Sequence, residues 1–112
     1  MVAGIGTDIV SISRIRQFVS GNSRLASVIL GAEEYQEYVK LKRDPAYLAR
    51  RFAAKEAIGK ALGVGVTLGI QVLNDASGKP YVIGLDRKVH LSLTSDGDYA
   101  QAFAVVMEPS ES

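Results

Sequence analysis

The sequence predicts an α+β fold, on three observations. Segments with helical periodicity fill most of the first half, and strand-like segments most of the second. The links between the later strands are short enough for antiparallel hairpins. No βαβ unit follows the first strand-like segment. The 112 residues are enough for one domain, spanning 1–112, and not for two.

Taken in order, residues 2–10 read as a buried strand that closes on Thr7-Asp8. "SISRIRQFV" then puts Ile12, Ile15, Phe18 and Val19 on one helical face, with Ser11 as N-cap. Arg14 and Arg16 lie off that stripe, and Gly21-Asn22 ends the segment. "RLASVIL" is short and fits either helix or strand. "AEEYQEYVKLK" has acids in its first turn and Lys40, Lys42 and Arg43 in its last, the order a helix macrodipole favours. Asp44-Pro45 restarts a helix, with Asp as N-cap and Pro at the first helical position. That helix runs to Leu62, where Gly63-x-Gly65 stops it. Beyond it, "VTLGIQVL" is strand-like and "NDASGKP" is a turn cluster. "YVIGL", "VHLSL" and "YAQAFAVVM" read as further strands, joined through "DRK" and "SDGD" as hairpins. The tail "PSES" reads as frayed.

Composition narrows the function classes. A mean hydropathy of +0.12 is high for so short a chain. A small domain cannot hide every apolar side chain, so a homo-oligomer is expected. The formal net charge of +1 carries no global commitment to nucleic acid or membrane. Without Cys there are no disulfides, thiolate metal sites or thiol nucleophile, and one His excludes a polyhistidine site within one chain. The N-terminus lacks the basic start of a signal peptide, and no apolar run is long enough to span a bilayer. A cytoplasmic location is the default.

Two stretches carry the chemistry. "GIGTDIV" runs an apolar, glycine-rich strand into one carboxylate, Asp8. It is a weak match to a dinucleotide fingerprint, because Ile9 stands at the third glycine position. A helix-capping role explains Asp8 as well. "RFAAKEAIGKALG" places Lys55, Glu56 and Lys60 in a helix apolar nearly all the way round. Such a helix is mostly buried, so its charges must be paired or face a cleft or interface. Glu56 and Lys60 are four apart, and an ordinary ion pair accounts for them equally well. Arg50, Arg51, Lys55 and Lys60 suit a polyanionic ligand, or form a solvated basic face. His90 is given no role, and Tyr35, Tyr38, Tyr47 and Phe52 fit packing better than base stacking.

"GIGTDIVSISRI" and "RFAAKEAIGKALG", in this order and at about this separation, resemble the holo-acyl-carrier-protein synthases, the small 4′-phosphopantetheinyl transferases. "NDASGKP" and "VHLSL…DYAQAFAVVME" resemble that family's C-terminal half. The resemblance implies transfer of 4′-phosphopantetheine from coenzyme A to a serine of an apo acyl carrier protein. It further implies Mg²⁺, release of adenosine 3′,5′-bisphosphate, and a homotrimer with sites between subunits. On the resemblance, Asp8 and Glu56 are the metal carboxylates, Lys60 lies near the transferring phosphate, and Glu56, directly or through a metal-bound water, takes the serine proton. Arg51 and Lys55 match basic positions near the coenzyme A phosphates and the carrier, with Gly63 and Gly65 letting backbone approach the ligand. Arg14 matches an arginine that docks the acidic carrier, and Arg16 and Arg24 extend the basic patch.

The second half is trimmed against the family pattern. "YVIGLDRK" leaves room for a tight hairpin where many relatives have a helix, "GVGVTLGIQVL" is shorter, and Ser95 stands where a His is common. The competing readings are a trimmed relative that binds coenzyme A or a carrier without transfer, and a structural oligomer with surface charge pairs.

Overall fold

A computed structural model describes residues 1–109. Its elements are β1 (Val2–Ser11), α1 (Ile12–Gly21), α2 (Leu25–Ile29), α3 (Ala32–Lys40) and α4 (Pro45–Leu62), then β2 (Gln71–Asn74), β3 (Pro80–Ile83), β4 (Val89–Asp96) and β5 (Tyr99–Met107). The α+β order of the sequence is the observed one. The expected fraying of "PSES" falls, from Ser110 onward, outside the described residues.

β1, β5 and β4 form an antiparallel sheet in that order, and β2 and β3 form a separate hairpin. The sheet's inner face packs on α4. The strand residues turned inward are small: Gly4, Gly6, Ala100, Ala102 and Ala104. They meet Ala53, Ala54, Ala57 and Ile58 of the helix, all fully buried. Small residues on both sides let backbone approach backbone. A Cβ on Gly6 would stand 1.9 Å from the carbonyl oxygen of Ala57, and one on Gly4 1.9 Å from that of Ala61. Only glycine fits there. A second cluster, built on Ile15, Ile29, Tyr38, Tyr47 and Leu48, fills the space under α1, α2 and α3. Tyr38 and Tyr47 lie in it with ring centroids 6.2 Å apart, so these aromatics serve packing.

The helix ends follow local chemistry. Ser11 caps α1 by accepting from the Arg14 amide, and Asp44 caps α4 by accepting from the Ala46 amide. Gly63 closes α4 in the left-handed region at φ 73°. α3 begins at Gly31, which has no side chain to cap with. Gln71 of β2 supplies the missing oxygen, accepting from the amides of Glu33 (2.9 Å) and Glu34 (3.1 Å).

Five expectations are corrected. The first strand is not buried on both faces: Ile5 and Ile9 on its outer face are 62% and 61% exposed. The "DRK" link is not a hairpin: β3 and β4 belong to different sheets, so this link crosses between them. Of "VTLGIQVL" only the last three residues, Gln71 to Leu73, are strand, and residues 66–70 are irregular or turn. Lys42 and Arg43 lie past α3 in the left-handed region, at φ 58° and 55°, and not in its last turn. Phe18 is 53% exposed and does not join Ile12 and Ile15 in the core.

Candidate active site

The close seating of β1 on α4 brings three chemical groups together. Inward-facing positions of β1 run Gly4, Gly6, Asp8, so the two glycines that admit the helix are followed on the same face by the acid. Above it α4 carries Glu56 and Lys60, one turn apart. Lys60 donates to Asp8 Oδ1 and to the Thr7 carbonyl, each at 3.0 Å. The ion pair is therefore between strand and helix, and not the i,i+4 pair with Glu56.

Asp8 is nearly buried, and its second oxygen, Oδ2, is buried with no hydrogen-bond partner. Beside it, Glu56 is held above its ordinary carboxyl value. Burial is the largest cause, followed by the Asp8 charge and by a hydrogen bond that protonated Glu56 can make to Asp8; Lys60 acts in the opposite sense. When both acids are ionised, neither has a proton to donate. The result is a pair of mutually repelling carboxylates with an unfilled oxygen.

That donor set fits a hard divalent cation. Mg²⁺ takes oxygen ligands and commonly uses one or two carboxylates, completing its shell with phosphate oxygens and water. Among the described residues no group of three or more His, Cys, Asp or Glu side chains is gathered, and a cation held by Asp8 and Glu56 would complete its shell with ligand oxygens and water.

Two hollows open from this pair. One, of about 240 Å³, is lined by Asp8, Glu56, Arg14, Phe18 and Phe52 among others. The other, of about 350 Å³, is lined by Glu56, Lys60, Val64, Gly65 and Val66. Asp8, Glu56, Lys60, Arg14 and Gly65 thus share one cleft with Glu56 at its centre. Gly63 forms the turn that ends α4, two residues from Gly65. Through Ile15, Phe18 and Phe52 the first hollow continues into an apolar groove of about 480 Å³ along Leu25, Val28 and Leu68.

The other cations of α4 lie elsewhere. Lys55 is fully buried and pairs with Glu34 at 2.7 Å, its ammonium also donating to the Ile29 carbonyl at 2.6 Å. Glu34 is completed by the amides of Gly31 and Val72, each at 2.8 Å. This geometry does not meet the expectation that Lys55 touches coenzyme A, because such contact would require breaking a satisfied core ion pair. Arg51 is 4% exposed. It donates to Asn74 Oδ1, lies 4.5 Å over the Tyr47 ring, and keeps a buried, unpartnered Nε. It lines a separate hollow of about 420 Å³ with Lys40, Asn74 and Tyr81, among others. Three of the cations expected on one basic helix therefore divide: Lys55 lies in the core, Arg51 on the separate hollow and Lys60 at the cleft. Phe18, Phe52 and Leu68 line the apolar groove without a signal in the sequence, where Phe18 falls on the apolar face of its helix and Phe52 reads as packing.

The 4′-phosphopantetheinyl transferase superfamily matches residues 4–104. A holo-[acyl-carrier-protein] synthase of Azoarcus sp. (strain BH72) is 50% identical over 123 aligned positions, covering 95% of this chain and 98% of that one. The 123 positions outnumber the 112 residues available here, as expected of a trimmed chain. The holo-[acyl-carrier-protein] synthase structure from Neisseria meningitidis superposes with a TM-score of 0.89 at 35% identity, covering 96% of this chain and 100% of that one. The synthase structure from Bacillus anthracis str. Ames, in complex with CoA (3′,5′-ADP), gives 0.88 at 37% identity, covering 98% and 99%. With the motifs in order, the fold superposing end to end and half of the aligned positions identical in one relative, this chain belongs to the holo-acyl-carrier-protein synthase family of 4′-phosphopantetheinyl transferases.

Proposed function

We propose that residues 1–112 act as one Mg²⁺-dependent transferase domain, moving 4′-phosphopantetheine from coenzyme A to a serine of an apo acyl carrier protein. The single observation that carries this is the Asp8–Glu56 pair, with its orphaned oxygen, beside the Lys60 ammonium that is paired with Asp8. Asp8 and Glu56 would hold Mg²⁺, which when bound neutralises pyrophosphate charge and stabilises the leaving group. The serine oxygen forms a bond to the β-phosphorus of coenzyme A as the bond to the bridging oxygen breaks. Adenosine 3′,5′-bisphosphate leaves with that electron pair. Glu56 is the candidate to take the serine proton, directly or through a bound water. Lys60 supplies positive charge at the transferring phosphate, in a reaction that depends on positioning and charge stabilisation.

Arg51 is the candidate for a second phosphate of coenzyme A, from the separate hollow that it lines. Gly65 gives backbone access at the cleft. Arg14 borders the cleft, and with Arg16 and Arg24 it is the candidate contact for an acidic carrier. The apolar groove that continues from Arg14 offers such a carrier an uncharged footing. A cytoplasmic location goes with these substrates; among the described residues no helix is long and apolar enough to cross a membrane.

We also propose a homotrimer. The sheet's outer face presents Ile5 and Ile9, 62% and 61% exposed, with Phe103 at 46%. Across these rows the strands pair Ile5 with Val105 and His90, and Thr7 with Phe103 and Ser92, with no Lys, Arg, Asp or Glu among them. An apolar sheet face of this kind is what a copy of the chain would cover.

Chromatographic measurement of adenosine 3′,5′-bisphosphate tests the reaction. Release that needs coenzyme A, apo carrier and Mg²⁺ together is expected. Mg²⁺-dependent binding of coenzyme A without release, across several carriers, would leave a binding module instead.

A further inference from the structure

Asp98 lies in the two-residue turn between β4 and β5, where Gly97 provides the positive φ of 57° that the turn requires. Its side chain faces the start of α1. Oδ1 accepts from the Ser13 amide at 2.9 Å. Oδ2 accepts from the hydroxyls of Ser11 (2.8 Å) and Ser13 (2.7 Å). Its backbone carbonyl accepts from the Ile12 amide at 2.7 Å. Ser11 Oγ in turn accepts from the Arg14 amide at 3.3 Å. Donors from three consecutive residues at the join of β1 and α1 therefore converge on one residue of a distant turn.

The chemistry of this junction calls for an anion. The Ser11 hydroxyl has one proton; giving it to Asp98 turns its lone pairs toward the Arg14 amide. A carboxylate accepts and never donates when ionised, and it suits the positive end of the helix dipole. The hydrogen bonds from Ser13 and Ser11 hold the Asp98 carboxyl below its ordinary value, with Arg16 contributing least, so the anion is the resident form. Arg16 and the two serines are the polar or charged groups that act on it.

The position of the junction gives the clamp a consequence. Ser11 is three residues after Asp8 and three before Arg14, and Asp8, Ser11 and Arg14 line the same hollow. The direction in which α1 leaves β1 fixes where Arg14 stands relative to Asp8 and Glu56. We infer that Asp98 is a positioning residue. It sets the angle of α1, and so presents a carrier docked on Arg14 at the correct distance from the two carboxylates. The inference rests on the reading of Arg14 as a carrier contact.

The test compares Asp98→Ala, Asp98→Asn, Arg14→Ala and the double variant Asp98→Ala/Arg14→Ala, varying carrier and coenzyme A separately. For Asp98→Ala the KM for carrier rises about tenfold, while kcat and the KM for coenzyme A stay within about twofold. Asp98→Asn keeps an acceptor for the Ser13 amide and loses about threefold. The double variant is no more than about twofold worse than Arg14→Ala, because one residue acts through the other. Amide hydrogen exchange at Ser13 and Arg14 quickens in Asp98→Ala, while β1 and α4 keep their protection. An unchanged carrier KM, or equal losses for both substrates with protection lost throughout, overturns the inference. If the unaltered protein transfers nothing, the proposed function falls instead, and the exchange at Ser13 and Arg14 alone decides whether the clamp exists.

Discussion

Glu56 is where charge, burial and chemistry meet. Its folded carboxyl titrates above the ordinary 4.5, so the stability tied to its proton is present below that value and lost as pH rises through the folded one. In the metal-free protein at neutral pH the ionised pair therefore works against folding. Glu56→Gln removes that repulsion. The metal-free variant should melt higher than the parent near pH 7.5 and match it near about pH 4, where both forms are neutral. The same variant should lose transfer by about a hundredfold or more, since both a metal ligand and the base are gone. Melting curves at the two pH values, without metal, check the first part. A variant that melts lower at neutral pH would show that Asp8 and Glu56 do not repel, and would remove the main support for a shared cation.

At the scale of elements, the long helix was legible and the use of its charges was not. Asp44-Pro45 and Gly63 marked its ends because caps are local chemistry. Asp8 and Glu56 were legible as a pair only through the two motifs of the resemblance. Lys55 and Arg51 were not, because an all-round apolar helix gives no azimuth to read. Their partners, Glu34 on α3 and Asn74 on β2, come from elements whose packing the sequence does not state. The "DRK" link failed for a related reason: link length limits how strands can connect but does not say which sheet each joins. The Lys55–Glu34 pair ties α4 to α3 with both side chains fully buried. Lys55→Ala would leave Glu34 charged and uncompensated, costing about 3–5 kcal/mol of stability. Urea unfolding measures it. A Lys55→Ala protein of parental stability whose KM for coenzyme A rises would show that Lys55 leaves the core to bind ligand, as the resemblance implied.

For the whole molecule, the excess hydropathy of so short a chain has a visible address. It lies on the outer face of the β1–β5–β4 sheet, away from α4, and along the groove beside α1. The interior took small residues so that strand and helix could close on the acids, which left larger apolar side chains such as Ile5, Ile9 and Phe103 outside. Phe103→Glu puts a charge at the centre of the outer face. Light scattering should find that variant as a monomer, with transfer reduced if the clefts lie between subunits. A trimeric Phe103→Glu protein would show that another surface assembles it.

The most direct test of the central claim is the intact mass of an apo acyl carrier protein after incubation with coenzyme A, Mg²⁺ and this protein, with and without chelator. The account predicts a gain of one phosphopantetheine that chelation abolishes and that neither Asp8→Ala nor Glu56→Gln produces. An undiminished gain in chelator, or from the Asp8→Ala protein, would contradict it.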